Sequence, residues 1–270
     1  MQQTQIPELA VGPPPVSPRT LTLTAAAMCA LLVTSCTHEK PKQPALTWEN
    51  KDRTTMRWIP NPVADLMFPE GTFVRAITES FTAAQSGPGR GIDAIRAVGY
   101  PGFDHAFNNG WDLDFFGESQ GFDYLYPNLV ENVGTDYAEI VELRQDGDQF
   151  TAGVCGYGSL TAGKMTDGTY HSGGSQSLGH AQWLIFGPDP KLPAGQQHPP
   201  LANQRGPAKR PTDNVFGTWV LTCIDFAATD LPQCKKLAPG IPNNWPKPYV
   251  RPDPPLTLPN DPGWPEGSSA

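Results

Sequence analysis

The sequence predicts an α+β fold, in which two or three N-terminal helices pack on a curved antiparallel sheet of about four strands. Residues 70–86 carry apolar side chains three to four positions apart, which is the periodicity of an amphipathic helix. Residues 137–226 contain β-rich runs instead. Because the helical segments precede the strands rather than alternate with them, we expect the helices to cover one face of the sheet.

Three short amphipathic segments predict the helices. The first covers residues 70–86, where Phe73 and Ile77 fall on one stripe and a Gly-Pro-Gly sequence ends the pattern. The second covers residues 91–98, and the third begins near Pro101, because proline favours the first turn of a helix.

Four β-rich runs predict the strands, at residues 137–144, 149–160, 180–186 and 217–226. The first two runs are separated by a segment containing Asp146-Gly147. An Asp-Gly pair between strand-like runs is a strong hairpin signal, so these runs should pair antiparallel.

This order of elements resembles the cystatin-like cone of the nuclear-transport-factor-2-like superfamily over residues 65–228. The resemblance rests on element order and includes no sequence motif, so it transfers no functional residue. It implies a concave sheet face that can hold an apolar ligand. The residues expected to point into that face are Tyr157, Trp183 and Trp219.

The sharpest sequence signal lies in the leader. Residues 21–33 form an apolar run of thirteen with Arg19 just before it. A transmembrane helix needs about 20 apolar residues, whereas the core of a secretory signal has 7–15. The run ends in Val33-Thr34-Ser35-Cys36, which resembles the bacterial lipobox of an aliphatic residue, two small residues and cysteine. The resemblance implies cleavage before Cys36 and attachment of acyl chains such as palmitate to that cysteine.

These features predict how the chain is organised. We expect a signal peptide over residues 1–35, a tether and lead-in over 36–64, an α+β domain over 65–237 and a Pro-rich tail over 238–270. A long Pro-rich loop over 187–212 interrupts the domain. High glycine and proline, low lysine and the lipobox together resemble surface lipoproteins of high-GC actinobacteria, which implies anchoring on the extracytoplasmic face of the cell membrane.

The remaining cysteines fit an exported protein. After cleavage, Cys155, Cys223 and Cys234 lie in an oxidising compartment, where a disulfide is expected. Three cysteines allow one bridge and one spare thiol, and the sequence leaves the pairing open. There is no Cys-x-x-Cys pair, which argues against a thiol oxidoreductase or a zinc ribbon.

Residues 102–128 are unusually aromatic and acidic. A structural loop that plugs the sheet explains this composition, and so does a ligand site. The candidate ligand-binding residues are Trp111, Asp112, Asp114 and Glu118. The three carboxylates could bind calcium, or two of them could cleave a glycan that stacks on the Trp111 ring. The spacing does not match an EF-hand.

The sequence offers few motifs for nucleophilic catalysis or phosphate binding. The chain has no Ser-x-x-Lys and no phosphate loop, and no catalytic residue, cofactor or metal is predicted. A net charge of −8 argues against nucleic acid as a partner.

The sequence therefore predicts a membrane-anchored envelope lipoprotein with a non-enzymatic binding role for a lipid, a glycan or a protein. One alternative is an envelope glycan hydrolase that uses the carboxylates of residues 102–128. Another is an accessory subunit of a membrane complex, docked through the tail at 238–270, since proline-rich segments stay extended and bind aromatic grooves.

Overall fold

A computed structural model describes residues 52–85, 96, 98–108, 130–226, 228–247 and 249–267. The leader with Cys36, most of the helix predicted at 91–98, and the four candidate ligand-binding residues from Trp111 to Glu118 lie outside the described residues. The part of the chain that the structure describes is an α+β domain, as predicted, with few helices and a large, mostly antiparallel sheet.

The described residues form eight strands and two α-helices. The strands are β1 Asp52–Trp58, β2 Glu131–Asp146, β3 Gln149–Tyr157, β4 Thr161–Lys164, β5 Tyr170–Ser172, β6 His180–Pro188, β7 Trp219–Asp225 and β8 Tyr249–Arg251. The helices are α1 Pro69–Gln85 and α2 Phe103–Asn108.

All eight strands belong to one sheet, with β2 at its centre. One branch runs from β2 through β3 and β6 to β7, and the other runs from β2 through β4 and β5 to β8. β1 pairs with β2 in parallel, whereas every other strand pair is antiparallel. The predicted hairpin is present: β2 and β3 are joined by Gly147-Asp148, and Gly147 has a φ of 59°. A positive φ at this turn position favours glycine.

The predicted number of strands was wrong, because the sheet has eight rather than about four. The four predicted runs correspond to β2, β3, β6 and β7. β4, β5 and β8 have only three or four residues each, too few to show a period of two. β1 has the sequence DRTTMRW, in which charged and hydroxyl side chains mask the alternation of apolar and polar residues that would indicate a strand.

The main hydrophobic core lies between the helices and one face of the sheet. Phe73 on α1 stacks on Phe186 of β6 with ring centroids 4.7 Å apart, and Phe103 and Phe107 of α2 are buried beside them. Trp219 of β7, 6.2 Å from Phe73, belongs to the same core. The predicted periodicity of α1 therefore marks the face that packs on the sheet.

The opposite face of the sheet has a smaller core, closed by the segment after β7. A disulfide joins Cys155 on β3 to Cys234, and Cys223 is a free, exposed thiol. Leu231 and Ala238 are buried around the bridge. The predicted disulfide is thus present, between two cysteines that the sequence did not single out as the pair.

The C-terminal segment is part of this domain and not a separate tail. Its strand β8 extends the sheet, and Trp264 is fully buried in the main core. Trp264 also forms an isolated antiparallel bridge with Ala208, so the Pro-rich loop and the Pro-rich tail pair with each other. Proline lacks an amide donor, and such segments therefore contribute isolated bridges rather than long strands.

The same segment covers the outer edge of β1. The Trp58 amide donates to the Asp261 carbonyl at 2.7 Å, and the Asp261 amide donates to the Met56 carbonyl at 3.2 Å. An open edge strand invites pairing with other chains, and this cover prevents it. Residues 36–64, predicted as tether and lead-in, thus include a strand that the C-terminal segment protects.

Candidate functional site

A groove of about 780 Å³ opens at the end of β1, and its volume is within the range of small-molecule sites. We call it the Trp58 groove. Its walls are the segment Ile59–Met67 on one side and residues of the C-terminal half on the other. The wall residues are mostly apolar and include Trp58, Ile59, Pro60, Pro62, Ala64, Leu66, Met67, Tyr137, Pro239 and Pro262.

Short polar contacts give the Ile59–Met67 wall its shape. The Asn61 side chain accepts a hydrogen bond from the Val63 amide at 3.1 Å, and the Asp65 carboxylate accepts one from the Met67 amide at 2.8 Å. Such Asx contacts fix turns locally. A Cβ atom on Gly71 would lie 2.2 Å from the Asp65 carbonyl oxygen, so glycine is needed there for α1 to approach the wall.

Three of the charged side chains that line the groove form a cluster around Asp261. Arg57 bonds Asp261 at 2.7 Å and also donates to the Pro259 carbonyl at 2.9 Å. Arg205 approaches the other Asp261 oxygen at only 3.8 Å, and its side chain is 71% exposed. Among the described charges that line the groove, Arg57 and Arg205 balance Asp65 and Asp261.

A buried polar cluster lies beside the groove, on the disulfide face of the sheet. Glu139 accepts hydrogen bonds from Asn61 at 3.0 Å, from Tyr157 at 3.0 Å and from Lys236 at 2.7 Å. Burial alone would raise the pKa of Glu139, but these three donors outweigh it and lower the pKa below its usual value. Burial and the neighbouring Glu139 raise the pKa of Tyr157. The cluster holds an ionised carboxylate and fastens the segment around Lys236 to the sheet.

The three aromatic residues predicted to share a concave face lie on opposite sides of the sheet. Tyr157 is buried on the disulfide face, and Trp183 packs against the same cluster with its indole donating to Asp230 at 2.7 Å. Trp219 lies in the main core on the helical face. The prediction failed because it assumed one open face, whereas both faces of this sheet are covered.

A second cavity, of about 230 Å³, opens beside α1 and is lined in part by Glu79 and Tyr100. Glu79 accepts hydrogen bonds from Trp58 at 2.9 Å, Tyr100 at 2.6 Å and Trp264 at 2.7 Å. Burial raises the pKa of Glu79, while Arg75 and these donors oppose the rise. Since both carboxylate oxygens already accept bonds from the protein, Glu79 is placed to join α1, β1 and the C-terminal segment rather than to transfer a proton to a ligand.

Asp136 on β2 lies opposite Met56 of β1 in the parallel pair. Burial and the nearby Asp52 carboxylate raise the pKa of Asp136 to about 7, although a hydrogen bond from Thr54 opposes them. A carboxyl whose pKa is raised by folding binds its proton more tightly in the folded state. It therefore favours folding at low pH and loses that advantage as the pH rises towards 7.

The variant Asp136→Asn tests this directly. We expect the wild-type free energy of unfolding to fall relative to the variant by up to about 1.4 kcal/mol per pH unit between pH 4 and pH 7. Urea unfolding at several pH values measures the difference. Asp148→Asn, at an exposed position in the hairpin turn, is the matched control and should leave the pH dependence unchanged. Parallel pH profiles for wild type and Asp136→Asn would contradict the raised pKa.

No family model, no curated protein and no solved structure matches this chain. None of the helices in the described ranges is long and apolar enough to cross a membrane. Within those same ranges, no three histidine, cysteine, aspartate or glutamate side chains are grouped to hold a metal ion.

The sequence reasoning missed the groove. Its first wall is the stretch Trp58-Ile-Pro-Asn-Pro62, an aromatic and aliphatic pair followed by two prolines within the predicted lead-in. Apolar residues punctuated by proline form neither a regular helix nor a strand, so such a stretch has to pack as an irregular wall. Apolar residues interrupted by prolines were therefore the signal from which this wall could have been predicted.

Proposed function

We propose that this protein is an exported lipoprotein, anchored through Cys36, whose Trp58 groove binds an apolar or amphipathic ligand without chemical conversion. The observation that carries the binding role is the groove itself, which has apolar walls and measures about 780 Å³. Its two carboxylates are engaged: Asp65 accepts a bond from the Met67 amide, and Asp261 pairs with Arg57.

Two features support export. The leader ends in Val33-Thr34-Ser35-Cys36, with the spacing of a lipobox. The Cys155–Cys234 disulfide favours an oxidising compartment, since cytosolic thiols are kept reduced. An anchored protein would present its domain close to the membrane surface, on a polar segment that begins at Thr37.

The packing of the C-terminal segment favours a binding groove over docking through a free tail. Trp264 is fully buried and bonded to Glu79, so a partner that captured residues 260–266 would have to pull this indole out of the core. The hydrolase alternative depends on Asp112, Asp114 and Glu118, which lie outside the described residues.

The anchor is tested by the intact mass of the protein purified from bacterial membranes. We expect the wild-type chain to begin at Cys36 and to carry the added mass of two or three acyl chains. Cys36→Ala should be neither cleaved there nor acylated. Cys29→Ala, seven residues upstream in the same leader, is the matched control and should be processed like wild type. A wild-type mass without acyl chains would rule out the anchor.

A further inference from the structure

We propose that the Trp58 groove holds the acyl chain of a single-chain anionic amphiphile, such as a fatty acid, with the anionic head at Arg205. This deepens the proposed function and rests on it in one respect, namely that a membrane-anchored domain has such lipids within reach. The assignment stands on the apolar walls of the groove, the charge cluster around Asp261 and the exposed side chains of the Ile59–Met67 wall.

The walls suit a flexible hydrocarbon chain. Trp58, Ile59, Leu66 and Met67 offer apolar contact to such a chain. The prolines have no amide hydrogen, so a hydrocarbon that covers them leaves fewer amide donors without a partner. A polar ligand such as a glycan needs several convergent hydrogen-bonding groups, whereas the polar lining here consists mainly of the charge cluster around Asp261 and the Asn61–Asp65 turn.

The two arginines of the groove differ in how firmly the protein holds them. Arg57 is held by Asp261 at 2.7 Å and by the Pro259 carbonyl at 2.9 Å, so it braces the wall. Arg205 reaches Asp261 only at 3.8 Å from an exposed position. A guanidinium in a loose ion pair can turn its planar donor pair towards a ligand carboxylate or phosphate without breaking a short bond.

The outer side of the wall carries two exposed apolar side chains. Val63 is 46% exposed and Phe68 is 55% exposed, and both belong to or directly follow the Ile59–Met67 wall. In a membrane-anchored protein, exposed apolar side chains beside an apolar groove would be available for contact with the bilayer. Here they would let a chain pass from the bilayer into the groove without crossing water.

The test uses the full chain in phosphatidylcholine vesicles, labelled with a photoactivatable diazirine analogue of palmitate and digested for mass spectrometry. We expect the label to concentrate on peptides containing residues 59–67. Arg205→Gln should raise the concentration for half-maximal labelling about tenfold, the effect of losing one charge-assisted bond. Ala64→Trp should block the groove and abolish labelling of these peptides. Arg53→Gln removes the same charge from an exposed position on β1 outside the groove and should change nothing.

Further arms separate the parts of the proposal. A diazirine monoacylglycerol, which has the chain but no charge, should label the same peptides more weakly and be insensitive to Arg205→Gln. Equal labelling by both probes would overturn the anionic head. Labelling spread over the surface, or unaffected by Ala64→Trp in protein with a wild-type circular dichroism spectrum, would overturn the groove site. If Ala64→Trp does not fold, the effect of Arg205→Gln on labelling by the palmitate analogue decides whether the proposal stands. The intact mass of the same samples reports Cys36 acylation independently, so failure of the anchor and failure of the groove are distinguishable.

Discussion

Replacing Trp264 with alanine is expected to lower the free energy of unfolding by about 4 kcal/mol, the middle of the range of about 3–5 kcal/mol for loss of a buried aromatic side chain. Trp264 is fully buried, its indole donates to Glu79 at 2.7 Å, and Arg75 stacks over its ring at 4.3 Å. The substitution therefore creates a cavity and leaves Glu79 with one donor fewer. Urea unfolding followed by far-ultraviolet circular dichroism measures the effect.

Two further variants separate the contributions. Trp264→Phe keeps most of the volume but removes the indole donor, so we expect a smaller loss of about 1–2 kcal/mol. Leu256→Ser lies in the same C-terminal segment, at a side chain that is 74% exposed, and should change stability by less than about 0.5 kcal/mol. Equal stability of Trp264→Ala and wild type would mean that the C-terminal segment does not complete the core.

The reason for this large effect is the position of Glu79. A fully buried carboxylate is stable only when charge or hydrogen bonds compensate for its lost hydration. Its donors come from Trp58 on β1, Tyr100 before α2 and Trp264 near the C-terminus, so three distant parts of the chain meet at one acidic side chain of α1. Loss of any donor weakens the contact among all of them.

The regular elements of the fold could be predicted because their patterns are local. The stripe of α1 and the hairpin at Gly147 depend on residues close in sequence, and both agree with the structure. The class, α+β, followed from the order of these elements. The strand count could not be predicted, because β4, β5 and β8 are too short for periodicity and are stabilised by neighbours distant in sequence.

The groove and the fate of the C-terminal segment were harder to predict for a different reason. Composition indicates that a Pro-rich segment avoids regular structure, but not whether a single residue of it is buried. Trp264 is flanked by Gly263 and Pro265, in a stretch that is typical of an extended tail. Its burial depends on Glu79, which lies 185 residues away, and a sequence without an alignment contains no trace of that partner.

Removing the disulfide is the second change with a large expected effect. Cys155 and Cys234 are 79 residues apart, and closing a loop of that length restricts the unfolded chain enough to stabilise the fold by about 4 kcal/mol. We therefore expect Cys234→Ala, or reduction of the wild type with dithiothreitol, to lower the free energy of unfolding by that order. Cys223→Ser is the matched control, since Cys223 is exposed and unbridged, and it should behave like wild type.

Reduction should also weaken ligand binding in the Trp58 groove, because the bridge holds the segment that supplies one of its walls. Pro239 lines the groove five residues after Cys234, and the segment between them is held by Lys236, whose ammonium bonds Glu139 at 2.7 Å. The Ala238 amide adds a bond to Ser159 at 2.8 Å. These two polar contacts are each worth about 1 kcal/mol, less than the bridge contributes, so they hold the wall in place less firmly than the bridge does. Photolabelling of residues 59–67 should therefore fall when the wild type is reduced. In Cys234→Ala, which has no bridge, labelling should be low before reduction and should not change on reduction. Undiminished labelling of the reduced wild type would show that the groove keeps its shape without the bridge.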